Sequence, residues 1–218
     1  LEIGIGAGWM ATDYEQAGIQ YDRPGVRIDR FLEGLEIIKR AMTGEKFSFS
    51  GKHYTITDYT ATPLPVQKPC PPILIGGGGP RVLKLAAQLA DIIGVNPSLK
   101  DGVVNGETIK DMSAEAVQEK IDIITANAGA RMPDIELNVR TFLVNIRDSA
   151  QEAIEGTANM FKVDPSLVAN SPFAILGPPA KIAEDLLARR ERWGFSYVIV
   201  GGEDVEKFAP VIKILAGK

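Results

Sequence analysis

The residues of this chain whose types and spacing could do chemistry are mostly glycines. Gly76-Gly77-Gly78-Gly79-Pro80 separates the apolar run Ile73-Leu74-Ile75 from a segment, Arg81 to Asp91, in which Val82, Leu85, Ala86 and Leu89 recur at helical spacing. Strand, glycine turn and helix in that order set the start of a helix just past the end of a buried strand. Glycine lets backbone N–H groups come close to an anion, and the first turn of a helix adds unsatisfied donors and the positive end of its dipole. The predicted chemistry is the cradling of a phosphate. Glycine runs more commonly serve as plain turns, and it is the strand before this one and the amphipathic helix behind it that favour the anion. The run is not a Walker A loop, because Gly79 is followed by Pro80-Arg81 instead of Lys-Ser/Thr.

A second stretch, Gly4-Ile5-Gly6-Ala7-Gly8-Trp9, closes the first apolar run, and its small residues also allow close backbone approach. Gly6 to Ala11 has the form of the dinucleotide fingerprint, which needs a helix directly behind it and a second strand ending in an acid. Here Thr12-Asp13-Tyr14-Glu15 allows at most a short turn, and Asp22-Arg23-Pro24-Gly25 breaks the chain, so a nicotinamide Rossmann domain is disfavoured. His53 is the only histidine and Cys70 the only cysteine. His53 reads as a hairpin surface residue and Cys70 as structural. Neither a zinc site nor a disulfide framework can be assembled from them, and no metal site is expected.

The 218 residues, 45% hydrophobic and 24% charged, have the profile of a globular protein with a sizeable core. A net charge of −4 and a pI near 5.2 give no electrostatic footprint for nucleic acid, and no run is apolar enough to span a bilayer. A reducing, cytoplasmic setting fits. Leu1-Glu2-Ile3-Gly4-Ile5 already reads as a strand with no cap before it, so the chain is expected to be the C-terminal part of something longer, with residues 1–218 forming one domain truncated at its N-terminus.

These glycines must be positioned by the elements around them. Leu1 to Gly8 reads as a strand and Val26 to Thr43 as a helix, with Ile28, Phe31, Leu32, Leu35, Ile38 and Met42 on one face. Its opposite face, Arg27, Asp29, Arg30, Glu33, Glu36 and Lys39, reads as solvated. A hairpin over 47–56 and an extended proline-rich approach lead to the strand Ile73–Ile75. Ala90 to Pro97 is the next strand, 98–112 an irregular loop, and Ser113 caps a helix to Asn127 with Val117, Ile121 and Ile124 inward. A strand over 135–146, a helix opened by a capping box at Asp148-Ser149-Ala150-Gln151, a loop with Pro165 and Pro172, a helix after Pro179, a strand over 197–202 and a last helix complete the chain. Strands alternating with helices imply a parallel sheet, and both an open doubly wound sheet and part of a (β/α)8 barrel fit.

Gly4 to Trp9 followed by Tyr14, Gly18-Ile19, Tyr21-Asp22-Arg23 and the helix Arg27 to Lys39 resembles the luciferase-like monooxygenase family, especially its coenzyme F420-dependent oxidoreductases. Phe49 to Tyr54, Pro71 to Gly79, and Ala86-Ala87 with Ala90-Asp91 look like the family's next blocks. The resemblance implies an α/β fold of the TIM-like (β/α)8 type, present as roughly its last five β/α units with the N-terminal strands missing. It implies an oxidoreductase moving hydride between F420 and a small organic substrate, with FMN-dependent monooxygenation or a non-catalytic cofactor-binding role as alternatives, and a possible homodimer. It places Gly6, Ala7, Gly8 and Thr12 on one side of the cofactor phosphate and Gly77, Gly78 and Gly79 on the other. Some F420 enzymes of the family carry a catalytic glutamate where this chain has Trp9, and residues near the reacting ring would precede Leu1, so no catalytic residue is assigned.

Overall fold

Ile73, Ile75, Ile93 and Val95, the heart of the two most apolar runs, are each at most 1% exposed, because strands pair on both sides of them and helices cover the sheet. In the computed structural model, which describes residues 1–217, the chain runs β1 (Ile3–Ile5), α1 (Ala11–Gln16), α2 (Pro24–Thr43), β2 (Phe47–Ser50), β3 (Thr55–Tyr59), β4 (Ile73–Gly77), α3 (Pro80–Leu89) and β5 (Ile92–Val95). It continues as α4 (Gly106–Lys110), α5 (Ala114–Ala128), β6 (Glu136–Arg140), β7 (Leu143–Ile146), α6 (Ala150–Phe161), α7 (Pro165–Asn170), β8 (Ala174–Gly177), α8 (Pro179–Trp193), β9 (Phe195–Ile199) and α9 (Val205–Leu215). Five strands form one parallel sheet in the order β1-β4-β5-β6-β9, with Ile5 opposite Ile75, Gly76 opposite Gly94, and Gly94 opposite Asn138. The result is an α/β fold with a mainly parallel central sheet.

Several expectations need correction. The run 135–146 is two strands. Thr141 donates both its N–H and its hydroxyl to Ile199 O, each at 2.9 Å, which ends pairing with β9, and Phe142 then donates to Phe173 O and carries β7 across to β8. β7 and β8 form a separate parallel pair, with β8 in the stretch that read as a proline-bounded loop. The loop 98–112 contains α4, capped reciprocally by Asn105 and Thr108. A short helix, α1, stands where at most a turn was expected, yet the next strand, β2, pairs only with β3 and not beside β1, so the dinucleotide fold is absent from the described residues. Helix α6 is capped by Ser149, which accepts from Glu152 N–H, and not by Asp148. On α3 the fully buried residues are Leu83, Ala86 and Ala87; Val82, Leu85 and Leu89 sit at the margin, so the helix is rolled from its expected face. Arg131 finishes that helix by donating to Ala87 O and Ala90 O, carbonyls that the helix end leaves unpaired.

The face of α2 that read as solvated is structural. Glu33 accepts the backbone N–H groups of Lys52, His53 and Tyr54 at 2.8, 2.8 and 3.1 Å and so pins the β2–β3 turn to the helix. His53 is accordingly half-buried and not a free surface residue, and its Nε2 is buried without a partner. Partial desolvation pushes the Glu33 carboxyl up, but the three N–H donors outweigh it and hold it below the ordinary carboxylate range. A lowered folded-state value means that its contribution is fully present above the ordinary range and lost as pH falls below it, through the lowered value. The stability gap between the wild type and Glu33→Gln, read by thermal melting, is therefore expected at pH 7 and should close below about pH 4. Leu83→Ala, which empties a fully buried site between α3 and the sheet, should cost about 2–5 kcal/mol in urea denaturation.

Candidate functional site

Parallel strands bring all their carboxyl ends to one side of a sheet, and there a cleft of about 740 Å³ opens. Gly4 to Trp9 form one wall behind β1, and Gly76 to Gly79 form another between β4 and α3. Asn96 to Lys100 follow β5, while Asn138, Arg140, Phe142 and Ile199 close the side made by β6 and β9. Its size suits a cofactor or small ligand.

The glycines of the second wall do different work. A Cβ on Gly78 would lie 2.3 Å from Asn96 O and 2.5 Å from the carbonyl carbon of Pro97, so the loops after β4 and β5 meet backbone to backbone and only glycine fits. A Cβ on Gly77 would meet the Val82 side chain at 2.4 Å, whereas one on Gly79 would meet nothing within 4 Å. Gly79 is the N-cap of α3 with Pro80 behind it, and no side chain caps that end. The first N–H groups of the helix are thus free of a side-chain competitor.

Loop 96–102 is held from three directions. Asn96 N–H donates to Gly77 O at 3.0 Å, Ala11 N–H donates to Gly102 O at 3.3 Å, and Ser98 N–H donates to Asp111 Oδ2 at 2.6 Å. Asp111 is fixed in turn by Lys120, 4% exposed, whose ammonium donates to Asp111 Oδ1 at 2.6 Å. Asn138, also buried, donates to Tyr197 O at 3.1 Å and forms a polar point in an otherwise apolar floor.

The ionisable side chains lining the cleft are Arg27, Lys100 and Arg140, all cationic, although the chain as a whole carries −4. Nearby carboxylates are engaged elsewhere. Asp22 pairs with Arg30, and Asp29 pairs with Arg81. The Arg81 guanidinium hydrogen-bonded to Asp29 holds that carboxyl below its ordinary range. A cationic cleft with open backbone donors can hold an anion. Among the described residues no cluster of acids, histidines and cysteines could hold a metal ion.

Of the residues picked from the sequence, Gly6, Ala7, Gly8, Gly77, Gly78 and Gly79 come together around this cleft. Thr12 stands exposed at the second position of α1, outside the lining. Arg27 was missed, and a signal for it existed: it lies four residues before Phe31 and eight before Leu35, on the stripe of α2 that is buried. Lys120 was missed likewise, between the inward-facing Val117 and Ile121.

The luciferase-like monooxygenase family model matches residues 1–197, and the chain belongs to that family. Among curated relatives, it is 27% identical over 169 residues to an FMNH2-dependent dimethylsulfone monooxygenase of Pseudomonas putida, covering 77% of this chain and 42% of that protein. It is 32% identical over 89 residues to an F420-dependent glucose-6-phosphate dehydrogenase of Microbacterium testaceum, covering 41% of this chain and 26% of the relative. The chain thus spans less than half the length of either. The fold is shared with an F420-dependent secondary alcohol dehydrogenase, at a TM-score of 0.72 and 14% identity, over 98% of this chain and 68% of that one.

Lys120→Met should free Asp111 and with it the Ser98 N–H. Because Asp111 keeps 28% of its side chain in solvent, the loss should stay near that of charged hydrogen bonds, about 2 kcal/mol by urea denaturation.

Proposed function

We propose that this chain is the phosphate-holding part of an oxidoreductase that transfers hydride between coenzyme F420 and a small organic substrate. The observation that carries the reading is the charge of the cleft: cations alone among its ionisable lining residues, in an acidic chain, beside an uncapped helix N-terminus and a glycine turn. A phosphate tail fits these groups. Gly77, Gly78 and Gly79 with the start of α3 would hold it on one side, and Gly6, Ala7 and Gly8 on the other. Bound there, the deazaflavin supplies the hydride chemistry. The chain's own contribution is binding and orientation: an anchored tail fixes the ring against the substrate, and the apolar wall of Phe142, Ile199 and Leu74 excludes water around it.

FMN is the alternative, favoured by the FMNH2-dependent relative, which aligns over more of the chain than the F420-dependent one. Both cofactors carry a ribityl phosphate, so the same cradle serves either. A non-catalytic cofactor-binding role is supported by a lining that contains no carboxylate, imidazole or thiol. In the same reading the five parallel strands are strands four to eight of a (β/α)8 barrel formed as one domain. Among the described residues β1 and β9 each have a neighbour on one side only, which is compatible with a partial barrel as with any open sheet. A small-molecule substrate, a homodimer and a cytoplasmic setting complete it, carried by the family resemblance.

The test uses Gly79→Asp in the complete protein. The site has room for the side chain, and aspartate is a good N-cap, so the variant should be as stable as the wild type or more so. Its carboxylate would nonetheless occupy the anion position. Parallel titrations of F420, FMN and NADPH should show the wild type binding the deazaflavin and the variant losing at least tenfold in affinity, with Gly79→Ser close to wild type. If FMN alone binds, the chemistry is flavin-dependent. If none binds, or Gly79→Asp binds as the wild type does, the phosphate reading falls.

A further inference from the structure

Behind the Gly6–Trp9 loop, three side chains take hold of three successive carbonyl oxygens. Tyr14 Oη donates to Ala7 O across a long 3.5 Å, Arg27 Nη1 to Gly8 O at 2.9 Å, and Tyr21 Oη to Trp9 O at 2.8 Å. The donors brace one another. The Arg27 guanidinium lies 4.3 Å from the centroid of the Tyr21 ring, and Tyr14 meets Tyr21 edge to face at 5.1 Å. The turn itself admits only glycine at position 8, where φ is +71° and a Cβ would lie 2.1 Å from Tyr14 Oη.

A trans peptide is planar, with its C=O and N–H on opposite sides. Holding the carbonyls of residues 7, 8 and 9 toward Tyr14, Arg27 and Tyr21 therefore turns the N–H groups of Gly8, Trp9 and Met10 the other way. Gly8 and Trp9 line the cleft and Tyr14 does not, so for the peptide that Tyr14 holds that other way is the cleft. Trp9 lines the cleft and not the smaller cavity of about 360 Å³ behind the loop, Tyr14 lines only that smaller cavity, and Ile5, Gly6, Ala7, Gly8 and Arg27 line both.

Arg27 adds a second, independent sign. It is 5% exposed, its Nε is buried with no hydrogen-bond partner, and it lines the cleft. None of the ion pairs among the described residues includes it. A buried cation without a counter-charge is costly, and an anion in the cleft would supply one.

We infer that Arg27 and Tyr21, with Tyr14 at the start of the loop, are positioning residues that hold the Gly6–Trp9 backbone as a preformed N–H nest for the anionic group of the cofactor. The inference rests on the phosphate reading above and goes beyond it: the loop's donors are aimed by Tyr14 and Tyr21, which lie outside the cleft lining, and by Arg27, whose charge also faces the cleft. Successive N–H groups pointing into one concavity bind anions, and preorganising them spares the ligand the cost of ordering the loop.

The test compares each phosphorylated flavin with its dephosphorylated partner, FMN with riboflavin and the deazaflavin 5′-phosphate with the corresponding deazariboflavin, by titration into the complete protein. Tyr21→Phe keeps the ring beneath Arg27 and removes only the hydroxyl; Arg27→Gln removes the charge. The preference of the wild type for the phosphorylated form should drop about tenfold in Tyr21→Phe and further in Arg27→Gln, with affinity for the dephosphorylated form unchanged. A role in folding alone would move both affinities together. If the wild type prefers the phosphorylated form and Tyr21→Phe keeps that preference in full, the inference is overturned while the phosphate reading stands. If the wild type binds both forms equally, the phosphate reading falls and takes the inference with it.

Discussion

The site depends on one contact without a side chain, the backbone of Gly78 against the backbone of Asn96 and Pro97. It extends the pairing of β4 with β5 beyond the sheet, since Gly77 stands opposite Val95 and the next N–H, that of Asn96, still donates to Gly77 O. The two loops therefore leave the sheet together. Two residues later α3 begins, and its direction is set at the other side by Leu83, Ala86 and Ala87 packed on the sheet. The helix N-terminus is thus located by close packing at both ends, which is what an anion site made of backbone donors needs.

Charge is distributed to the same end. Asp22, Asp29, Glu33 and Asp111 all lie on elements that border the cleft or support it, and each is engaged by Arg30, by Arg81, by the turn 52–54, and by Lys120 with Ser98. Each bond has a local structural task. Together they leave Arg27, Lys100 and Arg140 as the charges facing the cleft. Electrostatic attraction strengthens as water leaves a site, so a ligand that fills this cleft would meet cations whose effect grows as it binds.

The sequence made the parallel sheet and the glycine turns legible because both are local patterns: apolar β-branched runs, glycine, then helical periodicity. Six of the seven proposed site residues line the cleft for that reason. What stayed hidden is set by partners distant in sequence. The break between β6 and β7 comes from Thr141 reaching Ile199, and β8 is a strand only because β7 lies beside it. Arg27 and Glu33 looked like solvated charges because a charged residue on a helix is usually exposed, and Lys120 drew no reading; what each does follows from the carbonyl, the turn and the carboxylate that it meets in the fold. Thr12 shows the converse: its place followed from the resemblance, and a short helix turns it outward.

In the proposed reading, holding and choosing a cofactor are separable tasks in this cleft. F420 and FMN both present a ribityl phosphate, esterified further in F420, and they differ at the ring, where a flavin nitrogen that accepts a hydrogen bond is a carbon in the deazaflavin. No arrangement of Gly6–Trp9 or Gly77–Gly79 can sense that difference. Discrimination must come from the wall that meets the ring, and the residues opposite the glycine loops are Asn138, Arg140, Phe142 and Ile199. Asn138 already donates to Tyr197 O, and Phe142 and Ile199 offer no donor, so this part of the wall gives little to a ring nitrogen. Among the described residues the polar side chains that line the cleft away from the glycine loops are Asn96, Ser98, Lys100, Asn138 and Arg140, and in the proposed reading the choice between the two rings falls to this set.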